Sequence, residues 1–382
     1  MKILMTTDTL GGVWSYCMSL CAALKPHGVH VVLATMGRAL SLEQRKQVDQ
    51  LDNVDVHEST WRLCWMEEPW HDVARAGDWL LSLARRYRPD IIHLNDLGHG
   101  DLAWPAPVVM VGHSCVLSWW DAVKKQSAPQ AWHEYRERVS ASLKNADLIV
   151  APTHAMSKAL AHHYGPFNRL YPAPSVIYNG SNFPALADSP TDKFNQAEPL
   201  IFAAGRLWDE AKNIAALSSI AADVPWPVYV AGEVDQPNGK GKAPDNLYCL
   251  GFLHNTEMAR WLARASIYVA PARYEPFGLA ILEAARAGCA LVLGDIESLR
   301  EVWGEAAEYV DPDNPAELRR VVNQLIDDPQ RRQQLSALAW DTAQSYFAEQ
   351  MANDYMKAYE ALVNPAVFTR PRSVASLSGM HI

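Results

Sequence analysis

Ala270-Pro271-Ala272-Arg273-Tyr274-Glu275-Pro276-Phe277-Gly278-Leu279-Ala280-Ile281-Leu282-Glu283-Ala284 is the stretch on which the reading of this chain turns. A strand ends near Ala270, a turn carries Glu275, and a helix begins near Gly278. The start of a helix offers free N–H groups and the positive end of a dipole, which suit a diphosphate or sugar hydroxyls. Gly278 permits a close backbone approach. Glu283 stands about a helical turn further in, so two carboxylates can hold different hydroxyls of one ligand. Two glutamates eight apart usually share no duty. The Pro-Phe-Gly turn between them makes the shared ligand the stronger reading.

Outward from this segment, strand and helix signals alternate. In the first half, strands are expected at residues 2–6, 29–35, 91–94, 108–112 and 148–151, with helices at 13–24, 73–88 and 130–144. Thr153 is a candidate helix cap. The stretch 61–70, rich in tryptophan and acid, reads as a loop. Residues 179–199, rich in Asn, Pro, Asp and Ser, read as a linker. Beyond it, strands are expected at 200–204, 228–231, 248–250, 267–270 and 290–293. The helices expected there are 213–222, 256–265, 279–287, 315–326, 329–343 and 348–362, before a tail containing Pro365 and Pro371. This order implies two parallel sheets covered by helices, with ligands beyond the carboxyl ends of the strands. Gly11-Gly12, Asn95-Asp96 and His113-Ser114 all follow strands and can share one crevice.

Composition sets the outer bounds. A chain of 382 residues, 49% hydrophobic and 20% charged, suits two soluble domains. No apolar run reaches the roughly 20 residues of a membrane helix. The start, Met1-Lys2-Ile3-Leu4-Met5, runs into Thr6, Thr7 and Asp8, which fits a strand and not a signal peptide. A cytoplasmic location is expected. The net charge of −9 argues against general nucleic-acid binding. Residues 1–180 carry a net charge of 0 and the remainder −9, which supports two domains of different character. Arg85-Arg86-Arg88 and Lys124-Lys125 form either a solvated face or a peripheral contact for an anionic membrane. The six cysteines include no CxxC pair and read as reduced, mostly buried thiols.

Glu275-x-Phe277-Gly278, with Glu283 closing the set, resembles the donor-site signature of retaining glycosyltransferases of the GT-B fold, in particular family GT4. The resemblance extends over nearly the whole chain. Gly11-Gly12 looks like the family's Gly-rich loop. Val176-Ile177-Tyr178-Asn179-Gly180 resembles its Val-Ile-Pro-Asn-Gly, with Tyr178 in place of proline. Gly205-Arg206 with Lys212-Asn213 looks like its phosphate clamp. Gly232-Glu233 resembles a Gly-x-Gly turn without the second glycine, and Gly251-Phe252-Leu253 the strand end that meets the nucleobase.

The resemblance implies an α/β chain of two Rossmann-like domains facing each other across a cleft. Residues 1–182, completed by about 348–382, would form the acceptor-side domain, and 183–347 the donor domain. It implies transfer of a sugar from a nucleoside diphosphate to an acceptor hydroxyl with retention, and no cofactor. UDP-sugar, with glucose as default, stands for the donor. The acceptor is left open among glycan, lipid and small molecule, and the oligomeric state is open. Glu275 would hold sugar hydroxyls and Glu283 the ribose. The amides of Phe277, Gly278 and Leu279 would meet sugar and phosphate, and Leu253 the base. Arg206 and Lys212 offer a planar fork and a point charge to the leaving diphosphate. With these cations and the helix-end amides, no metal is required, and no Asp-x-Asp set stands out to hold one. Gly11 and Gly12 would approach the leaving phosphate or the acceptor, and His113 the donor sugar near its reacting carbon. Trp119 and Trp120 beside it, and Glu67 with Glu68, Trp65 and Trp70, are acceptor-side candidates. A GT-B epimerase would convert donor without an acceptor, and a nucleotide-sugar sensor would bind without turnover. A Rossmann oxidoreductase lacks support, because Gly11-Gly12 is not a G-x-G-x-x-G fingerprint.

Overall fold

The computed structural model describes residues 1–167, 173–183, 197–235 and 239–364. Most of the expected linker and the tail with Pro365 and Pro371 lie outside the described residues. The first sheet contains β1 (Lys2–Asp8), β2 (His30–Met36), β3 (Val54–Glu58), β4 (Ile91–Leu94), β5 (Val108–Val111), β6 (Leu148–Ala151) and β7 (Ser175–Val176), in the order β3-β2-β1-β4-β5-β6-β7. The second contains β8 (Glu198–Ala204), β9 (Val228–Ala231), β10 (Tyr248–Cys249), β11 (Ala265–Ala270), β12 (Ala290–Gly294) and β13 (Glu308–Val310), in the order β10-β9-β8-β11-β12-β13. Every pairing is parallel.

Parallel strands covered on both faces should be apolar throughout rather than alternating. Ile3, Leu4 and Met5 of β1 are all buried, as are Leu291, Val292 and Leu293 of β12. The elements missed in the sequence are the short or amphipathic ones. β3 carries Asp55, His57 and Glu58, and β13 has only three residues. The helix Leu42–Asp49 buries only Val48.

The strand orders fix where ligands belong. In each sheet the connections run one way and then the other, leaving a crevice where they diverge, between β1 and β4 and between β8 and β11. The loops after β1 and β4 carry Gly11 and Asn95-Asp96, and those after β8 and β11 carry Arg206 and Glu275.

The chain crosses between the sheets twice. Near Gly180 the outgoing strand passes the returning one so closely that a Cβ there would lie 2.2 Å from the Phe347 carbonyl oxygen. Arg286 clasps both crossings, donating to the carbonyl oxygens of Ser181 and Tyr346. The returning helix Ala348–Val363 then packs on the helix Gly12–Leu24 and buries Tyr355 and Tyr359 in the core of the first sheet. Five cysteines are buried and outside any disulfide, and Cys249 is exposed.

Candidate active site

The turn after β11 is shaped by its glycine. Gly278 adopts φ 93° and ψ 64°, and a Cβ on it would lie 2.7 Å from Cδ1 of Ile281. Only glycine takes this conformation without strain. The first intrahelical bond runs from the Leu282 N–H to the Gly278 carbonyl (3.0 Å). The amides of Gly278, Leu279 and Ala280 precede it and are open to a ligand. Phe277 is buried with its ring edge-on to Tyr346, so its side chain anchors the turn. The turn is also tied down from outside. Ser298 donates to the Glu275 carbonyl (2.6 Å), and Thr153 to that of Pro276 (2.9 Å). The same Thr153 accepts from the Met156 N–H and caps the helix His154–Tyr164 of the first sheet, the capping expected of it.

Cations gather on this turn. Lys212 is ion-paired with Glu275. Arg206, after β8, bonds Asp209 at 2.7 Å. Burial alone would raise the Asp209 pKa, but Arg206 and its hydrogen bond, helped by Lys212, hold it below the ordinary carboxylate range. Asn213 sits at φ 55° and fastens this loop to the carbonyls of Pro271 and Pro312. Gly232 presses on Gly205, where a Cβ would lie 1.7 Å from the carbonyl oxygen. Gly232 also donates to Gly251 (2.8 Å), which places Leu253, just beyond, beside the same loops. Glu283 is only partly buried, and its carboxylate makes no hydrogen bond among the described residues. Burial pushes its carboxyl up to about 8, with Arg286 only partly opposing.

Across the cleft, Gly11 faces the Arg206 guanidinium, and a Cβ on it would lie 3.1 Å from Nη1. A Cβ on Gly12 meets nothing, so the need for glycine falls on Gly11. His113 donates from Nε2 to Oδ1 of Asn95 (2.8 Å), because the Asn95 amide nitrogen is spent on the Thr6 carbonyl. Burial, with His93 nearby, lowers its pKa to about 3. The ring is therefore neutral, with Nδ1 left as an acceptor. Trp119 donates its indole N–H to Asp209 (3.1 Å), and Trp120 packs edge-on against it. Glu67 is exposed on its loop, whereas Trp65 lines the depression below Gly11.

The structure therefore brings Glu275, Lys212, Arg206, Gly11 and the open amides together, with His113 on the facing wall. It leaves Glu67 apart from them. Sequence reading missed Asp209, which anchors Arg206 and receives Trp119, and its place three residues after Arg206 was the available signal. Asp311-Pro312-Asp313 does spell Asp-x-Asp, but Oδ1 of Asp311 caps the Asp313 N–H and Asp313 pairs with Arg273. Lys124 and Lys125, read as a solvated or membrane-facing cluster, pair across the cleft with Glu210 and Asp313. Tyr178, in the family's proline position, donates to Glu301 (3.0 Å), whose carboxylate also accepts from the His154 and Ala155 amides. Among the described residues, no helix is long and apolar enough to cross a membrane.

Comparison with known proteins agrees with this fold. Residues 10–182 match the family model Glycosyltransferase Family 4, and residues 198–328 match Glycosyl transferases group 1. A glycogen synthase of Mycobacterium tuberculosis is 29% identical over 318 residues, covering 75% of this chain and 73% of its own. A phosphatidyl-myo-inositol mannosyltransferase of Mycolicibacterium smegmatis is 27% identical over 199 residues, covering 49% of this chain and 51% of its own. Sucrose-phosphate synthase from Thermosynechococcus elongatus superposes with a TM-score of 0.77 at 18% identity, over 94% of this chain and 98% of that one. HepE of Anabaena, solved with UDP and glucose, gives 0.71 at 18% identity, over 95% and 100%. With its two family models filling the two sheets of a GT-B fold, the chain belongs to glycosyltransferase family 4 and is an enzyme of the hexosyltransferase type.

Proposed function

We propose that the chain moves a hexosyl unit from a nucleoside-diphosphate sugar to an acceptor hydroxyl, with retention at the anomeric carbon and without a metal ion. The observation that carries this reading is the meeting of Arg206, Lys212 and the open amides at Gly278–Ala280 around Glu275, with Gly11 opposite. Breaking the anomeric C–O bond leaves charge on the diphosphate, and preorganised donors stabilise such charge most where water is excluded. Arg206 and Lys212 take the phosphate oxygens. Glu275 releases Lys212 and accepts sugar hydroxyls, while Glu283 accepts the ribose and Leu253 borders the base. His113 offers Nδ1 to the donor sugar. The acceptor oxygen bonds to the anomeric carbon on the face the diphosphate leaves, and its proton passes to the departing phosphate oxygen. UDP is the default nucleotide, and the acceptor is a glycan, a lipid or a small molecule. Residues 1–182, with the returning helix and tail from 348 to 382, form the acceptor-side unit in this reading, and 183–347 the donor-side unit.

Glu275→Ala is the direct test. Transfer measured as nucleotide release with acceptor present should vanish while the melting temperature holds; near-normal turnover would sink the assignment. Transfer should also survive EDTA, and strict dependence on an added divalent ion would refute the metal-free clamp.

A further inference from the structure

The first sheet has its own crevice, below Gly11 at the carboxyl ends of β1 and β4. Thr6, Asp8, Asn95, Asp96, His113 and Trp65 are among the residues that line it, and no lysine or arginine is. Asp8 spends Oδ1 on the Leu10 N–H (3.0 Å), and Oδ2 has no partner among the described residues. Oδ1 of Asp96 is engaged by the Gly98 N–H (2.9 Å) and by Nδ1 of His99 (2.7 Å), and Oδ2 accepts from Thr6 (3.2 Å), which leaves it further acceptor capacity. His99, which bonds Asp96, is buried, and its other ring nitrogen lies 3.0 Å from the Val73 carbonyl, so it offers nothing to a ligand. His113 is neutral, as derived above.

The cations around the crevice are already taken. Among the described residues, Arg38 pairs with Glu233, Arg62 with Asp72 and Lys124 with Glu210, and Arg206, bonded to Asp209, is given to the donor diphosphate in the reading above. A hydroxyl entering here finds carboxylate acceptors at Asp8 and Asp96, and the half-buried Trp65 ring beside them suits the face of a sugar or polyol ring. A phosphate entering here finds the same carboxylates and no free cation, and unpaired like charges oppose binding.

From this arrangement, and resting on the glycosyl-transfer reading above, we infer that the acceptor is an uncharged polyhydroxylated molecule, a glycan end or a polyol. Asp8 and Asp96 receive its hydroxyls and exclude phosphorylated acceptors.

The test uses matched pairs on the full chain: glucose and glucose 6-phosphate, myo-inositol and myo-inositol 1-phosphate, maltotriose and maltotriose 1-phosphate. Binding is measured by calorimetry on protein saturated with whichever of UDP, ADP or GDP raises its melting temperature. The neutral member should bind at least about tenfold tighter wherever a pair binds, since like-charge juxtaposition costs at least that much. Asp8→Asn, isosteric and uncharged, should narrow the gap by admitting the phosphorylated member. A phosphorylated member that binds as tightly as its partner overturns the inference, and so does a panel in which no pair binds. A gap that Asp8→Asn leaves unchanged removes Asp8 from the role. A chain that binds none of the three nucleotides breaks the glycosyl-transfer reading instead.

Discussion

On the donor side of the cleft the side chains are held by opposite charges, Arg206 by Asp209 and Lys212 by Glu275. On the acceptor side, the Asp96–His99 pair apart, they are held by neutral hydrogen bonds, His113 donating to Asn95, Asn95 to Thr6 and Tyr359 to His93. In the proposed function, the difference follows from what each side meets. A diphosphate needs cations, and cations in an empty cleft need carboxylates to hold them in place. Hydroxyls need acceptors of fixed direction, and burial supplies those by keeping both histidines neutral, lowered to about 4 for His93 and about 3 for His113.

The largest expected effect tests the charged side. Arg206→Ala removes one of two cations from the leaving diphosphate, and kcat should fall by about 10²–10³-fold, the range seen when a single preorganised donor is lost. Steady-state kinetics with the donor saturating gives the answer. A loss below tenfold would mean that Arg206 only braces Asp209 and Trp119, and the contrast between the two sides would collapse.

That contrast was partly legible in the sequence. The donor side depends on a contiguous run from Glu275 to Glu283 and on Arg206 and Lys212, six apart, so local spacing reveals it. The parallel sheets were legible for the same reason, since strands such as β5 and β12 are unbroken apolar runs. The acceptor side draws on Asp8, Asn95, Asp96 and His113, which lie up to 105 residues apart and meet only because β1, β4 and β5 are neighbours in the sheet. Their place after strands points to one shared crevice for Asn95-Asp96 and His113, but chain order does not give which strands are neighbours, nor the part of Asp8. Trp119 shows the same limit. Its place beside His113 suggested an acceptor role, but its indole N–H is spent on Asp209 of the other side.

Glu283 sharpens the comparison at intermediate size, because it is a donor-side carboxyl without an ion pair among the described residues. Its folded pKa, about 8, lies above the ordinary glutamate value of 4.5. The stability it contributes is present below 4.5 and is lost as pH rises through about 8. Ribose hydroxyls donate best to the ionised form, so the nucleotide should bind more tightly as pH rises toward 8 and level off above it. The gain should be at most about tenfold per pH unit. Calorimetric affinities between pH 6 and 9 measure it, and Glu283→Gln should flatten the curve. A wild-type curve already flat would place the ribose elsewhere.

The smallest effect is expected where the two sides touch. Arg38 reaches Glu233 over 2.9 Å, and both are substantially exposed, 56% and 34%. Glu233 occupies the middle position of the turn that resembles the family's Gly-x-Gly, with Val234 where the second glycine would stand, so the carboxylate that engages Arg38 sits within that turn. Exposed pairs of this kind contribute about 0–1 kcal/mol and weaken with salt. Arg38→Ala should therefore shift stability by no more than about 1 kcal/mol, and donor affinity should change little, with less dependence on salt than in the wild type. A much larger loss of donor affinity would mean that Arg38 leaves Glu233 to meet phosphate. The first-sheet side would then supply a cation of its own, and the division of charge between the two sides of the cleft would have to be redrawn.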